Sequence, residues 1–174
     1  MMLQDERSRF MMKVKEVYTQ NLQELEKNSL DIADAQQDIE GAGTTDKREN
    51  AGRDAAIAKL KDLYEVQRSL TEIKARFEKI EDLDLYNLIF PDRYKKLYPY
   101  NSTGFIKPYS TIRVQIGNKE HILYIVAEGL ELGDPSIIAA DSQFAKLVIN
   151  LETGDEFTYK IPGGMEHVTI LEVY

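Results

Sequence analysis

The chain contains no cysteine. Disulfide bonds, thiolate zinc sites and a cysteine nucleophile are therefore excluded. No apolar run approaches the roughly 20 residues that a membrane-spanning helix needs, and the first forty residues are too rich in charge to resemble a signal peptide. These absences favour a cytoplasmic protein that does not contact a membrane.

Basic residues are outnumbered by acidic ones. The 174 residues include 22 Lys and Arg against 30 Asp and Glu, which gives a formal net charge of −8. A partner bound mainly through nucleic-acid phosphates is therefore disfavoured, whereas a basic protein surface is a suitable partner. A hydrophobic content of 43% with 30% charged residues is typical of a soluble, folded protein.

Proline and glycine are absent between Leu3 and Ile39, and charged residues are dense there. Apolar residues recur at steps of mostly three and four, which is the spacing of a coiled-coil seam. Two polar residues fill gaps in this pattern. The predicted seam consists of Val14, Tyr18, Leu22, Leu25, Ser29, Ile32, Gln36 and Ile39.

A second helical pattern follows the segment "EGAGTT", whose glycines and threonines indicate a turn. Its predicted seam consists of Ala56, Leu60, Leu63, Val66, Leu70, Ile73, Phe77 and Ile80. Two long helices joined by a short turn run antiparallel. We therefore predict a coiled-coil hairpin over residues 1–82, with its tip near residues 41–50.

Residues 83–109 contain three prolines and lack a sustained period. We interpret them as a connector whose tyrosines pack against the following domain. An aromatic binding surface is the alternative interpretation.

From residue 110 the period becomes two, which is typical of strands. Segments such as "STIRVQI", "HILYIVAEG" and "EFTYKI" are separated by turn signals, and Asp141 or Ser142 is suited to cap one short helix. We therefore predict an α+β domain of four or five strands and one helix over residues 110–174. His121 and His167 lie in predicted strands without metal-ligand spacing, so a structural role is favoured for both.

The hairpin tip carries two carboxylates, Asp46 and Glu49, three residues apart. At the start of a helix this spacing places both side chains on one side, and one or two carboxylates suffice to recruit Mg²⁺. The same pattern also fits a capping box, in which Asp46 caps the helix and Glu49 reaches back to its backbone N–H. Taken alone, the pair favours the cap.

The C-terminal segment "SQFAKLVINLETGDEFTYKIPGGMEHVTILEVY" resembles the end of the bacterial Gre transcript-cleavage factors. The resemblance rests on Gly154-Asp155-Glu156, Pro162-Gly163-Gly164 and Ile170-Leu171-Glu172-Val173, although Gln143 replaces the usual proline after Ser142. The tip also resembles that family through the Asp-x-x-Glu-Asn-Ala core formed by Asp46, Glu49, Asn50 and Ala51. The neighbouring Thr45, Gly52 and Arg53 depart from the family pattern.

This resemblance implies a function in transcription. The coiled coil is expected to enter the secondary channel of bacterial RNA polymerase, while an FKBP-like C-terminal domain docks on the channel rim. Asp46 and Glu49 would then help to hold a second magnesium ion beside the backtracked RNA 3′ end, with Asn50 and Ala51 supporting the tip. The protein would be a monomer and an activator of the polymerase rather than an enzyme, with magnesium shared and no cofactor bound tightly.

Two alternatives remain open from the sequence. The altered residues around the tip are compatible with a channel-binding regulator that does not stimulate cleavage. The aromatic connector is compatible with a coiled-coil adaptor that binds unrelated proteins. With the hairpin and the C-terminal motifs present together, a functional tip is favoured over a simple cap.

Overall fold

A computed structural model describes residues 2–41, 47–93, 104–130 and 132–174, with side chains described from residue 4 and, in the second helix, from residue 51. No described helix is both long enough and apolar enough to cross a membrane. The helices are α1 (Met2–Gly41), α2 (Lys47–Phe77), α3 (Leu83–Ile89) and α4 (Gln143–Val148). The strands are β1 (Thr111–Ile116), β2 (Lys119–Val126), β3 (Ile137–Ala139), β4 (Glu156–Ile161) and β5 (Gly164–Val173).

The chain forms two compact units. The helical unit is Val17–Lys79, and the sheet unit combines Met1–Glu16 with Ile80–Tyr174. The boundary at Glu16 falls inside α1, so one continuous helix contributes residues to both units.

In the helical unit, α1 and α2 run antiparallel. Asn21 Nδ2 donates a hydrogen bond to the Leu70 carbonyl oxygen at 3.2 Å. Farther along α1, Asn28 Nδ2 donates to the Leu63 carbonyl oxygen at 3.1 Å. Increasing residue numbers along α1 are therefore paired with decreasing residue numbers along α2. The predicted helical hairpin is confirmed.

The predicted seam was wrong at several positions. Leu22 and Val66 are 37% and 48% exposed, whereas Asn21 and Asn28 are only 5% and 6% exposed. Ser29 and Gln36 are exposed as well, and Ala35 and Gln67 take seam positions beside the correctly predicted residues. The reason is physical: buried amides that donate to carbonyl oxygens of the opposite helix are satisfied, so Asn21 and Asn28 occupy seam positions that a search for apolar residues placed one residue later, at Leu22 and Ser29.

In the sheet unit, five strands form one sheet in the order β3-β2-β1-β5-β4. All neighbouring pairs are antiparallel except β2 and β3, which are parallel. The α+β class predicted for this part of the chain is confirmed, while the sheet is mixed rather than purely antiparallel. Gly117 begins the turn between β1 and β2 at a φ of 58°, a conformation that favours glycine.

The core of the sheet unit lies between one face of the sheet and α4. Phe144 and Val148 of α4 are buried among side chains from β1, β2 and β5, including Ile112, Ile125 and Ile170. Ser142 is the N-cap of α4, since its side chain accepts a hydrogen bond from the Ala145 N–H at 3.1 Å. Of the two capping residues predicted, Ser142 is therefore the one used.

A second group of contacts holds the first turns of α1 within the sheet unit. The ring of Phe10 stacks on that of Tyr124 in β2 with 4.8 Å between ring centroids. The Tyr124 hydroxyl donates to Glu6 Oε2 at 2.8 Å. Burial and this hydrogen bond to a carboxylate both raise the pKa of Tyr124, so Tyr124 stays neutral and keeps its proton for this bond.

A buried ion pair joins the same part of α1 to the start of α3. Arg7 donates to the carboxylate of Asp82, and the two side chains are 9% and 5% exposed. Arg7 also donates to the Tyr109 carbonyl oxygen at 2.7 Å, and Asp82 caps α3 by accepting from the Leu85 N–H at 2.9 Å. Each charge is therefore satisfied by more than one hydrogen bond.

The segment predicted as a connector contains α3. Tyr86, Phe90 and Tyr109 are buried, as the packing interpretation requires. Phe105 is 46% exposed, and the tyrosines at 94, 98 and 100 lie outside the described residues. Burial and the nearby carboxylates of Asp82 and Glu81 raise the pKa of Tyr109.

We expect Arg7→Ala to lower the free energy of unfolding of the sheet unit by about 3–5 kcal/mol, because it leaves the buried Asp82 carboxylate without its cation. Chemical denaturation followed by tyrosine fluorescence measures the change. Arg9→Ala is the matched control: its bond to Glu6 at 2.9 Å is on the surface, with the Arg9 side chain 76% exposed, so the loss should stay below about 1 kcal/mol. Equal losses in the two variants would contradict a dominant role for the buried pair.

Candidate functional site

The structure describes the predicted tip residues to different extents. Asp46 lies outside the described residues. Glu49 and Asn50 lie in the first turn of α2, which begins at Lys47, but their side chains are not described. Ala51 is exposed. The assignment of Asp46 and Glu49 as metal-recruiting acids therefore stays a prediction.

The start of α2 gives Glu49 a defined electrostatic context. Because Lys47 is the first residue of α2, Asp46 has the sequence position that an N-cap residue takes. Glu49 lies in the first turn, where the helix dipole favours negative charge. Capping and metal recruitment are compatible, since a carboxylate that accepts one backbone hydrogen bond keeps further lone pairs.

The end of α1 adds acids that the sequence analysis missed. Asp38 and Glu40 are exposed in the final turns of α1, and the last turn has no basic residue. Negative charge is disfavoured at a helix C-terminus, so this placement costs helix stability. The sequence did contain a signal for Asp38 and Glu40: Lys and Arg, which are favoured at a helix C-terminus, are absent from the last turn of α1.

The tip region as a whole is acidic. Over residues 38–54 the sequence has five acids against three bases, a formal charge of −2. The bases are Lys47, Arg48 and Arg53. Such a region suits cation recruitment better than binding to phosphate groups.

Two residues after Asn50, Gly52 interrupts a run of better helix formers. A Cβ atom built at Gly52 would meet nothing within 4 Å, apart from its immediate helical neighbourhood. Within the part of the chain that the structure describes, glycine therefore has no packing reason to be there. Its effect is to weaken the beginning of α2.

The two histidines behave as surface residues of the sheet. His121 is exposed in β2, and His167 Nε2 in β5 lies 3.3 Å from Glu156 Oε2. Over the described ranges, no group of three or more His, Asp or Glu side chains is arranged to hold a metal ion. The hairpin tip is thus the candidate site that the sequence and the described helices favour.

Comparisons with known proteins find similarity only among solved structures, since no family model and no curated protein matches the chain. One similar structure is the prokaryotic transcription elongation factor GreA/GreB from Nitrosomonas europaea, with 20% identity over 59% of this chain and 89% of that chain, and a TM-score of 0.40. Another is GreA factor homolog 1 (Gfh1) of Thermus thermophilus, with 15% identity over 90% of this chain and 94% of that one, and a TM-score of 0.37. Gfh1 of Thermus aquaticus has 14% identity over 90% and 93%, with a TM-score of 0.38. At these values the matches describe what the chain is similar to and do not establish its family.

We expect Asp46→Ala to destabilise the hairpin by about 1 kcal/mol if Asp46 caps α2, and Asp46→Asn to leave its stability nearly unchanged, because Asn caps as well as Asp. Helical circular dichroism during thermal unfolding measures both. Identical melting of the Ala variant and the wild type would contradict the cap. The Asn variant then separates capping from any role that needs the charge.

Gly52→Ala should stabilise the hairpin by about 1 kcal/mol, because alanine is the better helix former by that amount and its methyl group has open space. The same melting experiment measures the gain. An unchanged or lower melting temperature would show that Gly52 serves a conformation other than regular helix.

Proposed function

We propose that this protein is a Gre-like transcription elongation factor that stimulates RNA cleavage by bacterial RNA polymerase. The observation that carries the proposal is the position of the Asp-x-x-Glu-Asn-Ala core. It spans the start of α2, the second helix of an antiparallel hairpin. An acidic end on a paired helix is suited to enter a cavity of a larger enzyme.

The C-terminal motifs support the same proposal. Gly154-Asp155-Glu156 leads into β4, Pro162-Gly163-Gly164 turns the chain from β4 to β5, and Ile170–Val173 lies in β5, the last strand along the chain, which pairs with both β1 and β4. The residues that resemble the Gre pattern therefore have the roles of turn, turn and final strand. Under the proposal this unit docks on the rim of the polymerase's secondary channel.

The proposed chemistry uses few groups from this chain. Hydrolysis with two metal ions stabilises the attacking and the leaving oxygen, and Mg²⁺ accepts one or two protein carboxylates while keeping several waters. Asp46 would be the ligand of the second magnesium ion, and Glu49 would orient a water molecule beside it. Under the proposal the polymerase supplies the remaining ligands, so the protein would not be a nuclease by itself.

The test is RNA cleavage in stalled, backtracked transcription complexes. Wild-type protein should accelerate cleavage, and Asp46→Asn should reduce the stimulation about tenfold or more, as expected for loss of a group that holds or orients a metal ligand. Glu49→Gln should reduce it in the same direction.

Asp54→Asn is the matched control for this experiment. Asp54 is an exposed acid of α2 near the same end, and its substitution removes the same charge outside the core motif. Equal cleavage with and without the wild-type protein would contradict the proposal. Equal losses in the variants of Asp46 and Asp54 would show that only the general charge of the tip matters.

A channel-binding regulator without cleavage activity is the second candidate. It is favoured by the departures around the core, namely Thr45, Gly52 and Arg53, and by the open helical position of Gly52. Displacement of a known cleavage factor from the polymerase, without cleavage by this protein, would select it. Failure to retain RNA polymerase in a pull-down from a bacterial lysate would instead favour an adaptor.

A further inference from the structure

The two sides of the hairpin that border the seam differ in charge. In coiled coils these bordering positions usually carry Glu and Lys. One side, which we call the uncharged flank, has no charged residue at its positions between residues 22 and 71. It consists of Leu22, Ser29, Gln36, Ile57, Tyr64 and Thr71. The opposite flank consists of Glu24, Asp31, Asp38, Lys59, Val66 and Ile73, four of which are charged.

Hydrogen bonds show that both helices contribute to the uncharged flank. Gln36 Nε2 of α1 donates to the Tyr64 hydroxyl of α2 at 3.0 Å. Gln67 Nε2, from the seam of α2, donates to Ser29 Oγ at 3.4 Å. These bonds bring positions 29, 36 and 64 together across the helix pair, and the seven-residue spacing puts Leu22, Ile57 and Thr71 on the same side of their helices.

This surface exposes apolar side chains. Ile57 is 47% exposed and Tyr64 is 49% exposed. They border a shallow recess on α2 whose other lining residues are Leu60, Lys61, Glu65 and Arg68. Interfaces are enriched in tyrosine and depleted of charge at their centre, and the flank has both properties.

We infer that the uncharged flank is the face by which the hairpin contacts the wall of the cavity that receives it, through an apolar and uncharged protein surface. The inference rests on the proposed function and names which side of the hairpin meets the partner. A charge on the partner that is buried against the six positions of the flank would lose its hydration without gaining a counter-charge from them, and the nearest charges, Lys61, Glu65 and Arg68, lie along the rim of the flank. Arg68, at the edge of the recess, is already bonded to Glu72 at 3.1 Å.

The size of the flank argues against a second copy of this chain as the partner. From Leu22 to Gln36 the flank is about 21 Å long at 1.5 Å per residue, and a helix is about 10 Å wide, so its area is on the order of 200 Å². A stable interface needs about 800 Å² per partner. The flank is therefore sufficient as one part of a larger interface and too small for a dimer by itself.

The same helix provides a matched pair of variants. Ile57→Ser alters the uncharged flank, while Val66→Ser alters the opposite one, and the two wild-type residues are 47% and 48% exposed. Both substitutions replace an exposed β-branched residue of α2 by serine. Their effects on helix stability should therefore be similar, which melting temperatures will check.

Binding of labelled full-length protein to purified RNA polymerase is the test. We expect Ile57→Ser to weaken binding about five- to tenfold, as for a residue at the centre of an interface, and Val66→Ser to change it less than about twofold. In the cleavage assay, Ile57→Ser should raise the concentration for half-maximal stimulation by the same factor and leave the maximal rate unchanged, which is the behaviour of a contact that only binds. Asp46→Asn should lower the maximal rate instead.

The outcomes separate this inference from the proposed function. If the wild type does not bind polymerase, the proposed function is wrong. If the wild type binds and the two serine variants bind equally well, the inference alone is wrong. The inference is also overturned if sedimentation shows a wild-type dimer that Ile57→Ser dissociates. It is likewise overturned if the difference in binding between the variants disappears in complexes without backtracked RNA, because that result would indicate a contact with nucleic acid.

Discussion

The register between α1 and α2 depends on amides buried in the seam. Asn28 Nδ2 donates both to the Leu63 carbonyl oxygen and to Gln67 Oε1, the latter at 2.7 Å. A slip of one helix along the other would bury these polar groups against apolar side chains, at a cost of about 1–3 kcal/mol for each unsatisfied group. The amides thus stabilise one alignment against its alternatives, as polar residues do at seam positions of coiled coils. In this alignment Asn28 faces Leu63. The end of α1 at Gly41 and the start of α2 at Lys47, where the core motif lies, are only a few residues apart along the chain.

Polar groups also determine the packing of the sheet unit. The pair of Arg7 and Asp82 connects α1 to the cap of α3, and Lys13 contacts Asp134 at 2.7 Å. The Asp134 carboxylate also accepts hydrogen bonds from Ser136, and these bonds, together with Lys13, hold the pKa of Asp134 well below its ordinary value. This carboxylate therefore favours the folded state at neutral pH, and that contribution is lost as the pH falls below the pKa of an unfolded aspartate. Because Asp134 lies at the surface, screening by solvent keeps the effect small.

The sequence was sufficient to predict the helices and strands, but it was insufficient to predict several contacts between them. Long runs without proline or glycine predicted α1 and α2, and alternation with turn signals predicted the strands, because these patterns reflect repeated burial on one face. The seam prediction failed at Asn21 and Asn28, since a pattern of apolar residues cannot identify amides that find partners on another helix. Arg7 was missed for a related reason: charged residues are rarely buried unless paired, and its partner is 75 residues away. The short α3 does have a local signal, Asp82 as N-cap before apolar residues, but only the pair with Arg7 explains its burial.

The candidate site was predictable only in part, because one motif fits two different roles. The spacing of Asp46 and Glu49 indicates a helix start, and α2 begins at Lys47, but the same spacing fits metal recruitment as well as the commoner capping box. The distribution of charge along the hairpin is a second observation that bears on the two roles. A cap alone gives no reason for exposed acids such as Asp38 and Glu40 at the end of α1, where the helix dipole disfavours them, nor for a flank without charge beside Ile57 and Tyr64. Local choices that reduce stability are expected at functional sites. An acidic end combined with one uncharged side is the arrangement required if the hairpin is to enter a protein cavity in one orientation and bring carboxylates to its far end.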